Sequence, residues 1–105
     1  AFNPIGNIDM AKDYIIDYSN NNDKWYRKWK SGFIEQGGSF KTNNANITIT
    51  FIKPFINLPY CSCIANNGDS NNYSHKEIIF NLTNTNFTTF WGNDTTTKIW
   101  YACGY

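Results

Sequence analysis

The sequence predicts an all-β chain: an antiparallel β-sandwich, jelly-roll-like, with about eight short strands. Three observations carry that expectation. The apolar set consists of thirteen Ile against two Leu and no Val, joined by 18% aromatic residues; β-branched and aromatic side chains suit a pleated, half-buried surface better than a helix. Turn-forming residues recur at intervals of about ten residues. Leu and Ala, the good helix formers, are scarce, and no stretch makes a convincing helix.

Residues 1–12 have no clean period, and Pro4, Gly6 and neighbouring Asn residues make them an extended lead-in. Residues 13–19 (DYIIDYS) are aromatic and β-branched and read as a strand, ended by the polar turn 20–23. In 24–30 (KWYRKWK) Tyr26 faces one side, Trp25 and Trp29 the other. Ser31-Gly32 is a tight turn, so 33–36 should return as a hairpin strand. Gly37-Gly38 then either breaks the ladder or lets another backbone approach closely. Residues 43–46 form a loop, and 47–53 (ITITFIK) is the cleanest alternation. There Ile47, Ile49 and Phe51 share one face, Thr48, Thr50 and Ile52 the other, and Pro54 ends the strand. In 59–65 (PYCSCIA) Cys61, Cys63 and Ala65 share a face. The polar loop 66–74 precedes strands at 76–82 and 85–91 (TNFTTFW), a polar turn at 92–97, and a closing strand at 99–105 (IWYACGY). No repeat and no shift of composition divides 13–105, which reads as a single domain after the lead-in.

Composition excludes some function classes. Only 16% of the 105 residues are charged, against roughly 25% in soluble domains. Nine basic and eight acidic residues leave a net charge of +1, too little for a nucleic-acid binder held by bulk charge. No apolar run approaches the roughly 18 residues of a membrane helix, so membrane insertion is not expected. Seventeen Asn, and eight Lys beside Arg27 alone, follow AT-rich codon usage first. They also make loops whose polarity comes from amides rather than ions. The chain opens without Met and reads as a piece of a longer protein.

Catalytic and metal patterns are weak. Cys61 and Cys63 stand two apart on one strand face and cannot bond to each other without distortion, while Cys103 could sit opposite either. A zinc site would need His75, the only histidine, but C-x-C is not the usual knuckle spacing. A single disulfide with an odd thiol is a second reading; reduced cysteines used as small core residues are favoured. No nucleophile pattern surrounds His75, and no pair of carboxylates is marked out among the eight acids. The N-x-S/T patterns at Asn46, Asn72, Asn81, Asn86 and Asn93 fit the frequency of these residues alone.

The aromatics are more informative. Trp25, Tyr26 and Trp29 crowd one strand and Trp100 and Tyr101 the last, so both faces of those strands are apolar. Outward aromatics either meet another copy of the chain or make stacking platforms for sugar rings, and the first is the more economical reading for most of them. Trp91, beside Gly92, Asn93 and Asp94, best fits the isolated indole of a sugar site.

Three segments resemble one family. WYRKWKSGFIEQGG, residues 25–38, resembles a motif of bacteriophage tail-fibre C-terminal domains in which W-Y-R, a short turn and G-x-x-E-Q-G-G come one after another. ITFIKPFINLPY, residues 49–60, is similar to the same family's strand, K-P-F and distal Tyr element. IWYACGY, residues 99–105, is similar to its terminal W-x-A-x-G-Y. The order is the family's, and the likeness runs from about residue 13 to the end; residues 64–93 match only loosely.

The resemblance implies a receptor-binding head at the distal tip of a virion's tail fibre or spike, extracellular, built as a homotrimer of β-sandwiches with a shaft entering through residues 1–12. Such a head attaches the virion to a host polysaccharide or outer protein. The residues themselves, with no marked catalytic or metal pattern, add the expectation of attachment without catalysis, cofactor or metal. Trp25, Tyr26, Trp29, Trp100 and Tyr101 would build core and trimer interface. Loops 20–23, 66–74 and 92–97 would recognise the receptor. Candidate contacts there are Asn67, Asp69, Asn71, Tyr73, Trp91, Asn93 and Asp94. Amides and carboxylates would bond sugar hydroxyls while Trp91 or Tyr73 stacks on a ring. The family's heads share no fixed binding triad, so no residue role carries over. Two rivals stand beside this reading: a monomeric carbohydrate-binding module of a secreted bacterial enzyme, and a capsule depolymerase using acids such as Glu35 or Asp94.

Overall fold

The computed structural model describes residues 13–41, 46–65, 78–90 and 97–105. These residues form eight strands: β1 (Ile15–Asn21), β2 (Lys24–Trp29), β3 (Ile34–Lys41), β4 (Ile47–Thr50), β5 (Tyr60–Ala65), β6 (Ile78–Phe80), β7 (Asn86–Phe90) and β8 (Thr97–Gly104). The described residues contain no helix. All pairings are antiparallel. One sheet has the order β1-β2-β3-β8-β5, the other β4-β7-β6. The lead-in 1–12 and the loops 66–74 and 92–96 lie outside the described residues.

Local chemistry sets the first two hairpins. Between β1 and β2, Asn22 takes a positive φ of 54°, a conformation that Asn tolerates because its short amide bonds locally. Between β2 and β3, Gly32 N–H donates to Trp29 O at 2.9 Å and Gly32 itself has φ 99°, which a side chain would resist. Asp13 braces that turn, accepting from Ser31 N–H and Ser31 Oγ, both at 3.0 Å.

Gly37 and Gly38 do not break the ladder. β3 runs through them to Lys41, and they serve the second expected role, close backbone approach. A Cβ on Gly37 would stand 2.6 Å from Trp100 O, and one on Gly38 2.2 Å from Asp23 O. β4 is shorter than its alternation predicts because a distant side chain captures residues 52 and 53. Buried Gln36 accepts from the N–H groups of Ile52 (2.8 Å) and Lys53 (3.1 Å) and donates to Lys53 O (2.7 Å). These two residues therefore leave the ladder with their backbone groups still satisfied.

The two sheets share one core. Ile34, Cys63, Trp100 and Ala102 from the larger sheet meet Ile49 and Phe87 from the smaller, with Phe51 and Phe55 from the segment between β4 and β5. Trp100 lies 5.8 Å from Phe51 and 5.7 Å from Phe87 between ring centres, within the range where tilted rings attract. The expected partition holds on β4: Ile49 is buried, Ile47 half-buried, Thr48 and Thr50 exposed. None of the three cysteines forms a disulfide. Cys61 stands opposite Ala102 and Cys63 opposite Trp100, whereas Cys103 is opposite Tyr60. Cys103 thus faces away from the other two, which corrects the expectation that it could sit opposite either.

Candidate functional site

Directly paired residues share a face of a sheet, so the β2–β3–β8 registers define the outward face of the larger sheet. Trp25 pairs with Gly37 and Gly37 with Tyr101; Arg27 pairs with Glu35 and Glu35 with Cys103. Trp29 lies on the same side of β2 by its period of two. β1 adds Tyr18 opposite Arg27 and Asn20 opposite Trp25. Beyond β8, β5 adds Tyr60 opposite Cys103 and Ile64 opposite Ile99.

Glu35 is the hub of this face. Its Oε1 lies 3.1 Å from Arg27 Nε and 3.4 Å from Trp29 Nε1, while its Oε2 accepts from Tyr101 OH at 2.9 Å. The Glu35 side chain is only 16% exposed, so these donors replace much of its water. Burial, with the Glu35 carboxylate beside it, pushes the Tyr101 phenol well above its ordinary pKa of 10.0. Tyr101 therefore stays a protonated donor. Above this hub the Trp25 indole lies over Gly37, its nearest atoms 3.0 Å from where a Cβ would stand. Tyr101 flanks it at 6.1 Å and the Arg27 guanidinium lies 5.0 Å over its ring. Toward β1 the face opens into a concavity of about 640 Å³, lined by Ile15, Tyr18, Asn20, Trp25 and Arg27 among others. Its volume is in the range of small-molecule sites, about 300–1,000 Å³.

No protein-family model and no curated sequence matches the chain. Solved structures similar to it include an N-truncated R2-type pyocin tail fibre and a C-terminal part of the R2 pyocin fibre of P. aeruginosa. Each is 18% identical, has a TM-score of 0.68 and covers 86% of this chain. The fold is tail-fibre-like. The chain spans 38% and 26% of the lengths of those two structures.

Within this tail-fibre-like fold the three resembling segments occupy defined places. Residues 25–38 form β2, its turn and the first half of β3; residues 49–60 run from β4 into β5; residues 99–105 hold most of β8. The five aromatics expected at core and interface divide. Trp100 (1% exposed) and Tyr26 (9%) are enclosed by the chain itself, while Trp25, Trp29 and Tyr101 face outward. The receptor candidates Asn67, Asp69, Asn71, Tyr73, Trp91, Asn93 and Asp94 lie outside the described residues, as does His75. Of loop 20–23, Asn20 borders the concavity. Among the described residues no cluster of three or more His, Cys, Asp or Glu could hold a metal ion. No helix among them is long and apolar enough to cross a membrane.

Sequence reasoning missed Tyr18 and Arg27 as lining residues, and Glu35 as a hub. Parity on β2 was the available signal: Trp25, Arg27 and Trp29 fall on one side, and Arg27 is the chain's only arginine. A glycine in mid-strand at position 37 was the second signal, since the missing Cβ lets an indole approach the backbone more closely.

Proposed function

We propose that this chain is the receptor-binding head of a phage-type tail fibre. In this reading it is a β-sandwich working as a homotrimer at the outer tip of an extracellular, virion-borne fibre, and it holds a host surface glycan without catalysis. The observation that carries the reading is the likeness to R2 pyocin fibres over 86% of the chain at a TM-score of 0.68. The outward face supports it. Tyr60, Ile64 and Ile99 are 64%, 56% and 39% exposed, and an apolar patch of this kind marks an interaction surface. On this reading the β8–β5 half, with Tyr101, meets neighbouring copies and the β1–β2 half meets the receptor; loops 66–74 and 92–97 are further receptor candidates. Three copies would turn weak single-site contacts into useful avidity.

Size-exclusion chromatography with light scattering is expected to give three copies. An array of bacterial surface polysaccharides is expected to show binding without release of reducing ends. A monomer that binds no surface glycan overturns the reading. A monomer that binds a soluble glycan makes the chain a carbohydrate-binding module, and release of reducing ends makes it a depolymerase.

A further inference from the structure

We infer that the concavity between β1 and β2 on the outward face is a subsite for an uncharged sugar ring, a neutral pyranose of the host glycan. This deepens the attachment reading and rests on it. The first argument is shape and lining. The concavity is lined by Ile15 and the aromatic residues Tyr18 and Trp25, beside the Asn20 amide and the Arg27 guanidinium, with Ser19 and Tyr26 completing the wall. A pyranose has the matching duality: an apolar C–H face that packs on aromatic rings, and equatorial hydroxyls that donate and accept hydrogen bonds. Tyr18 is the open platform, 73% exposed. Asn20, also exposed, offers one carbonyl oxygen and two N–H donors, enough for a pair of adjacent hydroxyls.

The second argument is charge. Among the described residues Arg27 is the only charged side chain lining the concavity, and its Nε is already held 3.1 Å from Glu35 Oε1. The local charge is therefore balanced within the protein. A uronate or other acidic sugar would find no unpaired cation, whereas a neutral ring meets guanidinium N–H groups as oriented donors to hydroxyl oxygens. The third argument is rigidity. Arg27 is fixed at once by the Glu35 carboxylate and by its position over the Trp25 ring, and Trp25 is seated on Gly37. A wall already in place loses little side-chain freedom when a ligand arrives.

The probes are the methyl glycosides of glucose, galactose, rhamnose and N-acetylglucosamine, with galacturonate as the charged comparison, titrated into the full chain and followed by backbone and indole NMR shifts. At least one neutral glycoside should shift Tyr18, Asn20 and the Trp25 indole. Tyr18→Ala and Asn20→Ala should each weaken it up to about tenfold, and Thr48→Ala on the other sheet should leave it unchanged. The subsite is overturned if no neutral glycoside shifts these residues, if galacturonate binds more tightly than methyl galactoside, or if the Tyr18 and Asn20 variants bind as well as the parent. Polysaccharide binding on the array that survives both variants removes the subsite and leaves the attachment reading standing. Loss of all glycan binding by the parent chain removes both.

Discussion

Two carboxylates on opposite faces of the larger sheet gather nearly the same partners and do different work. On the inward side Asp17 Oδ2 accepts from Tyr26 OH at 3.0 Å and lies 3.3 Å from Lys53 Nζ. On the outward side Glu35 accepts from Tyr101 OH and pairs with Arg27. The Asp17 cluster joins β1 and β2 to the segment after β4, elements that no backbone ladder connects, so it closes one edge of the core. The Glu35 cluster joins β2, β3 and β8, which are already neighbours in one sheet. It adds little to the fold and instead fixes where three side chains point. A tyrosine, a carboxylate and a cation thus act as a latch when they bridge unpaired elements, and as a surface-shaping device when they bridge paired ones.

The contrast is sharpest at two adjacent residues, Glu35 outward and Gln36 inward. Gln36 is fully buried and holds three backbone groups of residues 52 and 53. Gln36→Leu preserves approximate volume but strands all three. Unsatisfied buried groups cost about 1–3 kcal/mol each; these three are only part-buried and water reaches some of them, so the loss should be about 1–3 kcal/mol in all, a fall in Tm of about 5–15 °C for a domain of this size. Calorimetry checks this; a Gln36→Leu variant that melts within a few degrees of the parent would remove the capture of residues 52 and 53 from the forces that hold the fold.

Glu35→Gln should be milder and different in kind. Arg27 is 46% exposed, and exposed ion pairs contribute about 0–1 kcal/mol. Stability should change by no more than about 1 kcal/mol, while the Tyr101 phenol, deprived of the neighbouring negative charge, titrates lower than in the parent. Burial remains its largest cause, so the return toward 10.0 is partial. Ultraviolet titration of tyrosine ionisation reads the shift. A large stability loss with no movement of the phenol would erase the distinction between the two faces.

The alternation of apolar and polar residues made most of the fold legible, because each strand has one face in the core. Ile47, Ile49 and Phe51 turned inward as their period requires, and both early hairpins formed where Asn22 and Gly32 permit positive φ. What stayed hidden was set by pairing across long separations. The early end of β4 depends on Gln36, 16 residues upstream, and a glutamine amide leaves no local mark of which backbone it will capture. The placement of Cys103 away from Cys61 and Cys63 comes from the β5–β8 register, which no turn residue specifies. The outward position of Trp25 and Trp29 was readable by parity. The convergence of Arg27, Trp29 and Tyr101 on Glu35 was not, because Tyr101 reaches it across 66 residues.

The smallest effect tests the latch itself through pH. The Tyr26 hydroxyl, bonded to the carboxylate, is the main cause holding Asp17 below its ordinary 3.8, and the Asp17 hydrogen bond is the main cause raising Lys53 above 10.5. A carboxyl whose folded pKa is depressed contributes stability above its unfolded value and loses it as pH falls through the folded one. For Asp17 that window opens near pH 4 and extends downward. A lysine raised on folding contributes fully below its unfolded pKa and loses the contribution as pH rises through the folded value, so the Lys53 window lies above about pH 10.5. Asp17→Asn removes the charge from both windows. The variant's stability should depend less on pH than the parent's at each extreme, and the two should differ least in steepness near neutrality, where neither group titrates. Asp17 and Lys53 are 45% and 36% exposed, so water screens the pair and the differences should be small but measurable by denaturant midpoints taken at several pH values. Equal pH dependence of parent and variant at both extremes would mean that the inward cluster, like the outward one, only places side chains, and the contrast between the two carboxylates would then rest on Gln36 alone.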